Sequence, residues 1–434
     1  MVYRSASVAG VLLAILAGVY LRSQSSHDEY RSVISQSINY FSRTGAGGVP
    51  LAPIMIGHPA AWRGEELRRS PHLWIKNFTG EDLRDLKAAT TAAIETLRAG
   101  NRSLGTLQKR DFPLSVRLRA NVSSWRREVH TQSGRGFVII RGIRVAEWAD
   151  EELETLFWAL GKYLGIPRAQ DSDGKLLGHV RDIGEDASRV RQYKTNAHIK
   201  AHCDSADVVG LLCVSQGESG GHSRLVSSVS VFNELVQRYP REYVSRLFRP
   251  FPLDVRGSGG ISWIPISPLR YGLDGRLRSF YHTEYFRSVY WEHVRDKPAD
   301  KIPREDEKVL DAYDSVVNDP ALYLDMKFEE GDIQLVSNHF VLHARTAFTD
   351  SQEHKRHLLR LWLSLESETE EEEKEGSKGV GGDTDTTTTR LHSIIASQSD
   401  WISRRADTLA LVAGLAVAKF RSSSVGKALA SMFR

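Results

Sequence analysis

The chain has 434 residues, 41% hydrophobic and 26% charged, which is the composition of a folded globular protein long enough for one large domain or two. Its net charge of +4 is unevenly spread: residues 366–385 hold nine acidic and two basic side chains, a local −7 that leaves +11 on the rest. No basic run is interleaved with aromatics, which argues against a nucleic-acid partner, and a cysteine count of 2 (Cys203 and Cys213) excludes a disulfide-stapled secreted scaffold.

Residues 1–26 open with Arg4, an uncharged apolar run from Ser5 to Leu21, and Arg22. That pattern suits a hydrophobic signal or anchor segment, and the preferred reading is an uncleaved anchor that associates the protein with a membrane. A cleaved signal or organellar presequence is the first alternative, and an ordinary buried helix in a cytoplasmic protein is the second. Residues 27–130 read as a loosely ordered lead followed by a helical buttress. Thr79 stands three positions before Asp82, the spacing of a helix N-cap, and Leu83, Leu86, Ala89, Ala93, Ile94 and Leu97 then recur at helical intervals, predicting a helix over 80–98. A second helix is expected near 117–130.

Residues 131–366 are expected to form the main domain. Phe137–Arg141 is an apolar run between glycines, predicted to be a buried strand, and Leu153, Leu156, Phe157, Leu160 and Leu164 mark a helix from about 150 to 164. Residues 205–290 alternate short strand-like runs with glycine- and proline-rich turns, and 303–318 reads as a helix. Glu330-Gly331-Asp332 is expected to be a hairpin turn, and Ile333–Asn338 the strand that presents His343. Residues 367–390, acidic and then rich in glycine and threonine, read as a disordered linker. Residues 391–434 return to a helical pattern; the apolar run Thr408–Ala418 is flanked by arginine and lysine and suits a helix lying on a membrane surface or docked on the protein itself.

Two short stretches carry the chemistry. His202 and Asp204 are two apart, so on a strand both side chains point to one face, about 6–7 Å apart at Cα. A second imidazole from the distant run Asn338-His339-Phe340-Val341-Leu342-His343 completes a set of two histidines and one carboxylate, the facial triad of non-haem Fe(II) oxygenases. Further on, Arg356, Leu358, Arg360, Trp362 and Ser364 share one face of a strand whose other face holds Leu359, Leu361, Leu363 and Leu365. If the arginine face lines the interior, its charge calls for an anion. If it lies outside, the arginines meet solvent. Gly178-His179-Val180-Arg181-Asp182 fails the two-residue spacing, so His179 is not expected to be a ligand. His222, His282 and His293 are expected to be structural, and the two cysteines to be small buried thiols.

The combination of His202-Cys203-Asp204, Gly220-Gly221-His222-Ser223, His343, Arg356 and Arg360 resembles the TauD/TfdA (taurine dioxygenase-like, clavaminate synthase-like) family of Fe(II)/2-oxoglutarate oxygenases. The resemblance implies a mainly β fold with flanking helices, a double-stranded β-helix (jelly roll). It implies Fe(II) on His202, Asp204 and His343, with 2-oxoglutarate chelating the metal. Arg356 and Ser223 hold the distal carboxylate in that reading, and Arg360 lies near the co-substrate or substrate. Dioxygen and a small organic substrate are the expected reactants, with succinate and CO2 released. Ser223 departs mildly from the family's usual threonine, and Cys203 from a common threonine between the ligands. Two rivals remain: a non-catalytic metal-binding sensor or scaffold, and a metal-dependent hydrolase or isomerase on the same fold.

Overall fold

Alternation along Phe137–Arg141 sets the layers. Phe137 and Ile139 pack inward between two sheets, while Val138 and Ile140 pack outward against helices. The computed structural model describes residues 59–365, apart from 131–133, 171–173, 186–191, 256–261, 272–275, 293 and 295. The anchor segment 1–26, the lead up to residue 58, the linker 367–390, the carboxy-terminal segment 391–434 and His293 therefore lie outside the described residues. Among the described residues no helix is long and apolar enough to cross a membrane.

The larger sheet has seven strands. Ile75–Asn77 pairs in parallel with Phe137–Arg141, which is followed across the sheet by the antiparallel strands Ile333–Ser337, Val208–Ser215 and His357–Ser364. The last of these also takes Ile166–Arg168 and Leu177–Val180. The smaller, four-stranded sheet runs Tyr323–Met326, Ser223–Ser227, Val341–Arg345, Ile199–His202, all antiparallel. Two facing sheets with helices outside them are the jelly-roll architecture expected from the resemblance.

The predicted helices form as Gly80–Ala99, Val116–His130, Asp150–Leu164 and Arg304–Val317. Thr79 and Asp82 exchange backbone-to-side-chain bonds of 3.1 and 2.8 Å, a capping box that satisfies two amides at the helix start. Leu153, Leu156, Phe157, Leu160 and Leu164 then meet Leu359, Leu361 and Leu363 from the sheet, so the leucine face of the last strand is the helix-covered one. Each fully buried leucine there contributes about 1.5–3 kcal/mol of apolar burial.

One expectation is corrected. Residues 330–332 do not close a hairpin: Tyr323–Met326 belongs to the smaller sheet and Ile333–Ser337 to the larger, so the chain turns a corner between sheets. Gly331, at φ +87°, makes that corner, and a Cβ there would lie 1.9 Å from the Ile143 carbonyl oxygen. His343 consequently comes not from Ile333–Ser337 but from the next strand, Val341–Arg345, back in the smaller sheet.

Beside the larger sheet, Asp207 accepts from His339 Nε2 at 2.7 Å and from the Leu365 amide at 2.7 Å, with the His130 ring tilted against His339 at 5.8 Å between centroids. Burial pushes His339 down to about 4 and His130 down to about 3, so both stay neutral in the fold. Below pH 6.5 the unfolded chain therefore binds more protons than the folded one, and stability falls as pH falls. Urea midpoints should drop between pH 7 and pH 5, with each histidine contributing a slope of up to about 1.4 kcal/mol per pH unit. A midpoint that is flat over this window would contradict the assignment.

Candidate active site

The register of the smaller sheet places His343 directly opposite His202. Their rings lie 4.3 Å apart between centroids, and both point into the space between the sheets. Asp204 completes the group: one carboxylate oxygen is 3.7 Å from His202 Nε2 and the other 3.6 Å from His343 Nε2. Ligand atoms of His202, Asp204 and His343 all lie within 4.8 Å of one another, and this is the one such cluster among the described residues.

Asp204 is not on the strand. The strand ends at His202, and Asp204 is held by Asn338, whose Oδ1 accepts its amide at 2.9 Å while Nδ2 donates to the Ala206 carbonyl at 2.8 Å. Trp362 donates its indole N–H to Asp204 Oδ2 at 2.9 Å, and the Arg360 guanidinium stands 3.9 Å from the same oxygen. Burial alone pushes the Asp204 carboxyl up, but the facing His343 and Arg360 outweigh it and hold Asp204 well below the usual carboxylate range. The carboxylate is thus ionised and aimed. His202 Nδ1 lies 2.9 Å from the Lys200 carbonyl, a contact that fixes the proton on Nδ1 and leaves Nε2 as a lone-pair donor towards Asp204 and His343. Burial and the neighbouring His343 push His202 down to about 4, so it is neutral at physiological pH, the form a metal needs. The donor set, its convergence and its protonation all fit a divalent iron.

The arginines do line the interior. Arg356 is 3% exposed, and its Nε and Nη1 have no hydrogen-bond partner among the described residues; Nη2 reaches only the Gly221 carbonyl, at 3.5 Å. Burial pulls it down to about 10, which leaves it charged. A lone buried guanidinium of this kind is expensive without an anion, so the pocket fits a carboxylate such as that of 2-oxoglutarate. Gly221 makes the space. Its φ is +68°, and a Cβ would stand 2.7 Å from Arg356 Nε. Ser223, on the same inner face as Leu225, is buried and shares a 3.2 Å bond with Gln334. Arg360 is engaged instead with Gln170 at 2.7 Å and lies over the Tyr193 ring at 4.3 Å, beside the metal ligands.

Several contributors escape the sequence. Trp362 could have been found from its place on the arginine face, but Asn338, Gln170 and Tyr193 carry no local pattern. His282, expected to be structural, forms a backbone bridge with His202, and their rings are 5.0 Å apart, so it belongs to the wall of the site. His179 stacks on His357 and is not part of the triad, as expected. Cys203 points away from His202 into the helix-side core, and burial pushes both thiols up to about 12, which makes them inert core groups.

Two histidines and one carboxylate converging between the sheets of a jelly roll, beside a buried guanidinium, are the arrangement of the mononuclear non-haem iron oxygenases. Residues 98–362 match the model of the taurine catabolism dioxygenase TauD, TfdA family, and the chain belongs to that family. It is an oxidoreductase, a dioxygenase dependent on iron and 2-oxoglutarate. Among its relatives, FR-33289 synthase of Streptomyces rubellomurinus is 27% identical over 243 residues, covering 54% of this chain and 71% of that protein. The taurine hydroxylase-like protein SAT17 of Stachybotrys chartarum is 26% identical over 316 residues, covering 66% and 77%. The crystal structure of asparagine oxygenase shares the fold at a TM-score of 0.50 and 14% identity, covering 67% of this chain and 93% of that one.

Replacing Trp362 by Phe keeps the ring packing and removes the bond to Asp204. Metal affinity, measured by anaerobic titration with Fe(II) or with Mn(II), should fall by about 10–100-fold, as is usual when the partner of a metal ligand is lost. Wild-type affinity in a folded variant would show that Asn338 alone sets the carboxylate.

Proposed function

We propose that His202, Asp204 and His343 bind Fe(II), that Arg356 and Ser223 hold the distal carboxylate of 2-oxoglutarate, and that Arg360 faces the co-substrate or substrate. The enzyme then oxidises a small organic substrate with dioxygen, releasing succinate and CO2. The observation that carries this reading is a convergent metal-ligand set together with a buried guanidinium whose Nε and Nη1 are unpaired. Iron and 2-oxoglutarate, when bound, supply the oxidising power, by coupling decarboxylation of the keto acid to reduction of dioxygen.

The protein's own part is positional and electrostatic. His202 is locked in one tautomer by Lys200, and Asp204 is held by Asn338 and Trp362, so the ligands need little reorganisation on loading. Arg356 orients an anion through a bidentate edge rather than a point charge. A hydrolase on this fold gives Arg356 no task, and a metal-binding scaffold uses the ligand set but gives none to the buried guanidinium beside it.

The membrane reading rests chiefly on residues 5–21, an uncharged apolar run flanked by Arg4 and Arg22, and secondly on the apolar run Thr408–Ala418, and the domain division rests on the composition change after Leu365. Under it, the full chain sediments with membranes and a chain lacking residues 1–26 does not. Recovery of the full chain in the supernatant after cell fractionation would sink it.

Anaerobic addition of 2-oxoglutarate to the Fe(II)-loaded protein should produce the weak visible charge-transfer band of a keto acid on iron. Arg356→Ala should raise the 2-oxoglutarate concentration needed for half the band by at least about 10-fold, the cost of a charged hydrogen-bonded pair. No band from a folded, metal-loaded protein would move the assignment to a hydrolase or scaffold.

A further inference from the structure

Arg345 is two residues beyond His343 on the same strand, so its side chain shares the inner face with the metal ligand. It is paired in register with Ser223. It is 6% exposed, and its Nη2 donates to the Thr195 carbonyl at 2.8 Å and to the Ala197 carbonyl. Its Nε and Nη1, like those of Arg356, have no partner among the described residues. The two guanidiniums flank one aromatic ring: their central carbons are 4.7 and 5.3 Å from the Phe348 centroid.

The three guanidinium nitrogens of Arg345 are thus accounted for, and none meets a carboxylate among the described residues. Asp350, the carboxylate nearest Arg356 in its effect, is exposed and spends Oδ1 on the Arg356 backbone amide at 2.9 Å. Two buried guanidiniums against one ring, each with spare N–H groups and neither with a counter-ion among the described residues, call for an anion.

We propose that Arg345 is a second arginine, in addition to Arg356 and Ser223, for the distal carboxylate of the 2-oxoglutarate co-substrate, both guanidiniums lying against the Phe348 ring. This rests on the co-substrate reading given above. Arg345 also ties that carboxylate to the chain entering the site, because the group that meets the anion already holds the Thr195–Ala197 carbonyls ahead of the His202 strand. Anion binding therefore orders the segment that carries the first metal ligand.

Calorimetric titration of the full chain, loaded with Mn(II) to prevent turnover, separates the roles with three ligands. 2-Oxoglutarate has both ends, glutarate has carboxylates but no keto group, and pyruvate has the keto acid without the distal carboxylate. Arg345→Met should weaken 2-oxoglutarate and glutarate by about 10- to 100-fold and leave pyruvate unchanged, the loss of charged hydrogen bonds to one carboxylate. Arg345→Lys, which keeps the charge, should recover part of the loss and guards against a folding defect, as does an unchanged thermal midpoint. Hydrogen exchange across 195–199 should slow on adding glutarate to the wild type and not to Arg345→Met.

Wild-type binding by Arg345→Met, alongside a loss in Arg356→Met, would overturn the proposal and leave Arg345 as a loop clamp only. An equal loss for pyruvate would do the same. Unchanged 2-oxoglutarate binding in both variants would remove the co-substrate pocket itself, and this inference with it.

Discussion

The site depends on one antiparallel register, the pairing of His202 with His343 across the smaller sheet. Side chains on a strand alternate with a period of two, so a slip of one residue would turn one imidazole into the helix-side core and bring Leu342 or Ala344 inward. On its other side the same strand pairs with Ser223–Ser227, setting Arg345 against Ser223 and His343 against Leu225 along a single face. Register is secured from outside: Val226 and Leu342 point to the opposite face, where they pack with Phe232, Leu235 and Tyr313. Hydrophobic packing on one face thereby sets coordination geometry on the other.

Charge follows the same division. Within the candidate ligand set, the ionised Asp204 faces the neutral His202, His343 and the Arg360 guanidinium. Around Phe348 the balance is wholly positive, with Arg345 and Arg356 both buried. An acid with a carboxylate at each end spans such a gradient, and the protein pays for the uncompensated cations with apolar burial elsewhere. The glycine at 221 belongs to this economy of space, since any side chain there meets Arg356.

Much of this was legible in the sequence because it follows short periodicities. The period-two face of 356–364 separated arginines from leucines without telling which face is inner, and the helical spacing of Leu153 to Leu164 gave the helix that covers the leucines. The triad was legible as spacing, although for a partly different reason: Asp204 reaches the metal side through Asn338, not through strand alternation. What could not be read were contacts between chain segments over 100 residues apart, such as Trp362 to Asp204 or Gln170 to Arg360, which depend on which strands become neighbours. The corner at Gly331 was misread for the same reason. A glycine–aspartate turn looks alike whether the next strand returns to the same sheet or crosses to the other.

The strand His357–Ser364 sits between Val208–Ser215 on one side and both Ile166–Arg168 and Leu177–Val180 on the other. It is the last element to leave the ribosome among those described. Until it arrives, the outer strands have no neighbour, the helix Asp150–Leu164 has no leucine face to cover, and Asp204 lacks its indole partner. From residue 215 until that strand is made, the nascent chain carries an open apolar sheet edge, the kind of surface that chaperones shield. Both halves of the candidate ligand set exist once residue 343 is made, but Arg356 comes only with this strand, so the candidate site and the core of the larger sheet are completed together.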